Sequence, residues 1–146
     1  MNGKDIRVTS IIIFFVITIV SLIVGAVDIN SVKVYGYSSV FLCSILIFVI
    51  QWIAWIPASI MKTERFYDIT GGITYLAVIF FSLWIGSLNN QINNRQIIIS
   101  ILVVIWSLRL TSFLYLRIHR TGKDGRFDEF KVSPIRFLVP WTLQGL

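Results

Sequence analysis

Long apolar runs bounded by charged residues organise this chain, and their lengths match a bilayer. Residues 8–27, between Arg7 and Asp28, are nearly all Ile, Val, Phe and Leu. About 20 apolar residues, rising about 1.5 Å each, cross ~30 Å of hydrocarbon, so this run suffices for a span. A signal peptide is the competing reading, with Lys4 and Arg7 as its basic region and Gly25-Ala26 near a cleavage site. The run is too long for that, since the apolar region of a signal is about 7–15 residues.

A second span is predicted over 38–60, with Tyr35 and Tyr37 at one end and Trp52 and Trp55 toward the other, as interfacial aromatics. Pro57 removes the helical donor to the carbonyl of Ile53, so a kink or an early helix end is expected there. Gln51 is the one strongly polar side chain of this span and reads as a helix–helix hydrogen bonder. Residues 61–69 form a short polar loop before a third span over 70–88, with Asp68 or Thr70 as its N-cap. Loop Asn89–Arg95 is turn-like, because asparagine side chains bond readily to nearby backbone. A fourth span covers 96–118, and a fifth begins at about 134. The predicted fold is therefore all-α: a polytopic transmembrane helix bundle of four complete spans and the start of a fifth, in one membrane domain over 1–146. Because Leu146 falls in an apolar run with neither cap nor polar tail, the chain is expected to be the N-terminal half of a longer product.

Composition agrees with a lipid partner. The chain is 56% hydrophobic with mean hydropathy +0.82 and only 14% charged, whereas soluble domains carry about 25% charged residues. A net charge of +6 does not point to nucleic acid, since the basic residues sit at the ends of apolar runs. Ten of the thirteen lie on the side of the N-terminus, loop 61–69 and loop 119–133; only Lys33 and Arg95 lie on the other, and Arg109 is within the membrane. The positive-inside rule makes the first side cytoplasmic. The plain N-terminus and the absence of Asn-x-Ser/Thr sequons fit a bacterial inner membrane. One cysteine, Cys43, and one histidine, His119, permit no internal disulfide and build no metal site.

Candidate chemistry concentrates between Trp106 and Phe130. An arginine at the centre of a membrane helix costs about 2.5–3.5 kcal/mol on insertion scales, so Arg109 needs a partner or a task. Arg120, eleven residues on, returns to the same face, about 16 Å nearer the cytoplasm. Two arginines on one stripe suit an elongated anionic ligand. Equally, Arg109 can serve helix packing while Arg117 and Arg120 extend to the membrane surface. The loop 121–130 sets Gly122 and Gly125 around Lys123-Asp124, followed by Arg126. Glycine allows close backbone approach and arginine grips phosphate, but neither the Walker nor the dinucleotide-fold glycine spacing is present. A solvated loop or an anionic-lipid contact accounts for the same residues. Glu64 and Asp68, the acids of loop 61–69, can approach the arginine stripe if that loop folds inward.

The pieces R-F-Y-D-I-T-G-G-I-T-Y-L (65–76), W-S-L-R-L-T-S-F-L-Y-L-R (106–117) and G-K-D-G-R-F-D-E-F (122–130) resemble, in order, the N-terminal half of the uncharacterised branch of the steroid 5-alpha-reductase-like membrane proteins. The resemblance spans roughly Thr63 to Trp141. It implies an oxidoreductase that takes NADPH from the cytoplasmic side and reduces an activated carbon–carbon double bond of a hydrophobic steroid-, isoprenoid- or lipid-like substrate. It places Arg109, Arg117, Asp124 and Arg126 on the cofactor-facing side, and Glu64 and Asp68 nearer the substrate or supporting the bundle. The family's most diagnostic residues lie in a C-terminal half, and His119 does not match them, so this stretch alone is expected to be inactive. Two alternatives remain: a relative of the isoprenylcysteine methyltransferases, and a non-enzymatic membrane subunit.

Overall fold

The computed structural model describes residues 3–28, 31–88, 92–122 and 124–146. Among them are five α-helices: α1 (Gly3–Val27), α2 (Ser39–Ile60), α3 (Tyr67–Leu88), α4 (Asn94–Thr121) and α5 (Pro134–Gln144). Helices α1 to α4 are long and apolar enough to cross a membrane, and the protein is an all-α integral membrane bundle. Most of their apolar side chains face outward, as expected where lipid is the solvent.

Helix ends depart from the expected boundaries in instructive ways. Helix α1 begins at Gly3, taking Lys4, Asp5 and Arg7 into its first turns. Helix α2 starts at Ser39 behind Ser38, whose hydroxyl accepts from the amide of Phe41. It does not end at Pro57 but runs on to Ile60. The left-handed Lys62 (φ 50°) then lets the Thr63 amide reach the Ala58 carbonyl at 3.0 Å, closing the helix. Neither Asp68 nor Thr70 caps α3, because the helix already begins at Tyr67 and the Thr70 hydroxyl donates back to the Phe66 carbonyl. Helix α4 starts at Asn94, where Asn93 and Gln96 form a reciprocal capping box; Asn89, Asn90 and Gln91 lie outside the described residues. The α1–α2 connection contains a minimal hairpin, β1 (Lys33–Val34) paired with β2 (Tyr37–Ser38), turned by Tyr35 and Gly36 with positive φ at both positions.

Neighbours run α1, α5, α2, α3, α4, with α5 wedged against both α1 and α2 at one end. The wedge is fixed by polar bonds as well as packing. Trp52 and Trp55 donate to the Thr142 hydroxyl (3.2 Å) and the Pro134 carbonyl (3.1 Å). Tyr67 donates to the Pro140 carbonyl at 3.0 Å. Phe137, Trp141, Phe127 and Ala58 form the buried core of this end. The same end holds the start of α1, where Asp5 meets Arg136 and Thr9 donates to the Ile135 carbonyl.

Helices α3 and α4 meet at Gly72. The Ser107 hydroxyl donates to the Gly72 carbonyl at 3.3 Å, and a Cβ on Gly72 would fall on the Thr111 side chain. Small residues allow such approach between membrane helices, where dispersion and hydrogen bonds replace the hydrophobic drive. Gly72→Ala should therefore lower stability by roughly 1–3 kcal/mol, the usual penalty of overpacking. Thermal unfolding in detergent reads it, and an unchanged transition would show that the pair moves apart without loss.

Candidate functional site

Two loops meet at the α5 end of the bundle. Glu64, in the turn between α2 and α3, is only 6% exposed. Its carboxylate accepts from the Asp124 backbone amide at 2.8 Å and from the Lys131 ammonium at 2.8 Å. Lys131 also pairs with Asp128, three residues back, at 3.1 Å. One carboxylate thus ties the loop after α4 to the loop before α3. Burial alone would raise the Glu64 pKa, but the Lys131 ammonium and the backbone donors outweigh it and hold the carboxyl below the usual range. Burial would likewise lower Lys131, and its bonds to Glu64 and Asp128 reverse the direction.

Beyond the clamp lies a charged cluster centred on Asp124. The Asp124 carboxylate caps a short 3-10 helix (Gly125–Phe127) by accepting from the Arg126 amide at 3.1 Å. The Arg126 guanidinium donates through both Nε and Nη2 to the same carboxylate, and Arg117 donates through Nη2 at 3.3 Å. Arg117 is also 3.8 Å from Asp68, at the start of α3. The Arg126 bonds foremost hold Asp124 below the ordinary carboxylate range and raise Arg126 in turn. The Arg126 plane lies 5.8 Å from the centre of the Phe127 ring, which packs on Tyr67.

The loop glycines serve the chain rather than a ligand. Gly122, at φ 81°, ends α4, and its amide bonds the Ile118 carbonyl. Gly125 opens the 3-10 helix, and Lys123 between them lies outside the described residues.

Of the residues singled out from sequence, the structure brings Arg117, Asp124, Arg126 and Asp68 together. Glu64 sits behind them as the clamp. Arg109 is elsewhere: it is exposed on the outer side of α4, beside Trp106, Leu110 and Phe113. Arg120 is exposed as well, and His119 meets Tyr115 one turn away at 3.3 Å. Among the described residues no group of three or more His, Cys, Asp or Glu side chains converges as a metal site would.

Asp68 connects the cluster to a cavity of about 340 Å³ between α2, α3, α4 and the end of α5. Its lining mixes apolar side chains with Gln51, Thr74, Ser107, Thr111 and Gln144. Gln51, fully buried, donates to Thr74 at 3.1 Å, which is the interhelical bond expected of it. The cavity itself had a legible signal: Thr70 and Thr74, and Ser107 and Thr111, place polar groups four apart, on one face of each helix, inside apolar runs.

Residues 54–146, more than half the chain and including both loops, match the sequence model of a family described as a protein of unknown function (DUF1295). No curated protein and no solved structure matches.

Truncating Glu64 should leave Lys131 under-paired and the Asp124 amide without its acceptor. Glu64→Ala is expected to destabilise by about 3 kcal/mol, at the low end for breaking a buried pair because Asp128 remains. Because both Glu64 and Asp124 titrate below their unfolded values, their contribution is full above the ordinary carboxylate pKa, about 4, and fades as the pH falls through the folded value. Unfolding followed from pH 7 to pH 3 should show a steep acid loss in the parent and a shallower one in Glu64→Ala. Parallel curves would remove the carboxylate from this role.

Proposed function

The chain belongs to the DUF1295 family of proteins of unknown function, and from that premise we propose that it forms part of a membrane-embedded, NADPH-dependent reductase acting on a carbon–carbon double bond of a hydrophobic substrate. The observation that carries this reading is the adjacency of an arginine cluster to an apolar chamber. Asp68 belongs to both, as the partner of Arg117 and as part of the cavity wall. A polar cofactor reaching the membrane from water and a substrate arriving through lipid would need this juxtaposition. The sequence resemblance to steroid 5-alpha-reductase-like proteins, carried by 65–76, 106–117 and 122–130, supports the same reaction class.

The residues present suit a phosphate-bearing cofactor. A guanidinium has five N–H donors, and Asp124 occupies only part of those on Arg117 and Arg126. The side chain of Arg126 is 66% exposed, open to a further anion. Arg117 and Arg126 would hold phosphate oxygens, with Asp124 fixing both guanidinium planes. The dinucleotide supplies a hydride; the chain's own part is to bind, orient and exclude water. Glu64 and Lys131 hold the loop that carries the arginines, and the cavity admits the apolar substrate. Arg109, on the lipid-facing side of α4, has no part in this arrangement as the helices stand. We place the charged end in the cytoplasm from the distribution of basic residues, and the absence of Asn-x-Ser/Thr sequons supports a bacterial inner membrane.

Titrating NADPH by fluorescence against the native gene product in detergent tests the reading. Arg126→Ala should weaken binding at least about tenfold, equivalent to ~1.4 kcal/mol. Unchanged affinity would return the 122–130 loop to an ordinary basic flank of a membrane helix.

A further inference from the structure

Helix α2 has two concave sides. Ile47 and Gln51 line the cavity beside Asp68, whereas Phe41, Ile45, Phe48, Val49 and Trp52 line a groove of about 630 Å³ shared with α1. The groove exists because α1 is held elsewhere. Its first turns are tied to α5, through Asp5 with Arg136 and Thr9 with the Ile135 carbonyl, and it packs little against α2. The gap between α1 and α2 lies toward the turn that joins them, at the end of the bundle opposite the charged cluster.

Its depth is that of one leaflet. The lining residues run from Ile17 to Asp28 on one wall and from Phe41 to Trp52 on the other. Each interval is eleven residues, about 16 Å at 1.5 Å per residue, and half of the hydrocarbon core is about 15 Å. The walls are apolar apart from Ser21 and Ser44, and the Ser44 hydroxyl is spent on the Val40 carbonyl at 2.8 Å. Ordered water has too few partners there. The mouth is different. Asp28 lies in it, and its carboxylate stands 3.8 Å from the Lys33 ammonium, too far for a hydrogen bond. Among the described residues that carboxylate accepts only one long bond, from Ser31 at 3.5 Å. The two side chains are 42% and 57% exposed, so acid and base both keep capacity for a further partner.

We propose that this groove binds one glycerophospholipid whose head carries a primary ammonium beside its phosphate, with an acyl chain between α1 and α2. The ammonium donates to Asp28 and the phosphate meets Lys33, a match of two charges to two. A choline head lacks the N–H donors, and a glycerol head lacks the cation. The site goes beyond the reductase reading and shares no lining residue with the cavity beside Asp68.

The experiment is native mass spectrometry of the native gene product, released from nanodiscs of equal dioleoyl phosphatidylethanolamine, phosphatidylcholine and phosphatidylglycerol. One phosphatidylethanolamine should be retained roughly tenfold over either competitor, the scale of one charge-assisted hydrogen bond. Asp28→Ala, which keeps the bond from the Ser31 amide to the Asp28 carbonyl, should level the three lipids. Gly25→Leu fills the groove, and since a Cβ on Gly25 meets nothing within 4 Å the helix accepts it. That variant should lose the retained lipid whatever its head. Equal retention of ethanolamine and choline lipids would overturn the proposal. So would a preference indifferent to Gly25→Leu, which places the lipid elsewhere, or no retained lipid at all, which leaves the groove to a second copy or another protein segment.

Discussion

The buried carboxylate of Glu64 is the constraint on which the charged end depends. A membrane bundle has no hydrophobic drive between its helices within lipid, so its loops are ordered only if something specific holds them. Here one side chain bonds the Asp124 amide and the Lys131 ammonium, joining segments 60 and 67 residues apart. Once Asp124 is placed, its side chain fixes Arg126 and Arg117, and Arg117 reaches Asp68 on α3. The sequence of dependence runs from a hidden ion pair to an exposed cluster, not the reverse. Exposed pairs alone contribute too little to order a loop.

The second constraint is the contact of α3 with α4 at Gly72. It sets how closely the two helices approach, and the cavity is the space left beyond that contact, where α2 and the end of α5 close it. Gly71 contributes from the other side, since a Cβ there would meet the Gln144 amide at 2.7 Å. Two consecutive glycines therefore serve different neighbours, one a helix and one a polar side chain. That explains a T-G-G turn of helix inside a membrane span, where glycine is otherwise unfavourable to the helix itself.

The spans were legible because membrane helices announce themselves by uncharged length, and all four expected runs are helices. Helix faces were harder to read, because within these apolar runs only the spaced pairs Thr70 and Thr74, and Ser107 and Thr111, mark a side. Arg109 shows the consequence. It lies about 200° around the helix from Ser107 at 3.6 residues per turn, and Ser107 faces α3. The position of Arg109 along its helix could be read from the sequence; the direction it faces required the neighbours. The partners of Trp52 and Trp55 were not legible either, since the Thr142 hydroxyl and the Pro134 carbonyl lie 90 and 79 residues along the chain. Glu64 was read as lying near the substrate or as supporting the bundle, and its partners, 60 and 67 residues along the chain, lie too far for any spacing rule to choose between them. The Val34–Tyr37 turn, by contrast, had a local signal in Tyr35-Gly36.

The charge balance of the Asp124 cluster bears on what it can hold. Two arginines face two carboxylates, Asp124 and Asp68, so the site is not a bare positive patch. An anion arriving there must share guanidinium donors with Asp124 rather than find them vacant. Sharing is geometrically feasible because Arg126 presents one edge to Asp124 and most of its side chain to solvent. Such a site binds less tightly than an uncompensated one but holds its arginines in place before the ligand comes, reducing the ordering that binding would otherwise require. A cluster that served only to mark membrane topology would gain nothing from this arrangement, since topology depends on the number and side of basic residues and not on their planes. The fixed guanidinium geometry, rather than the charge count, is what favours a binding role for this end of the bundle.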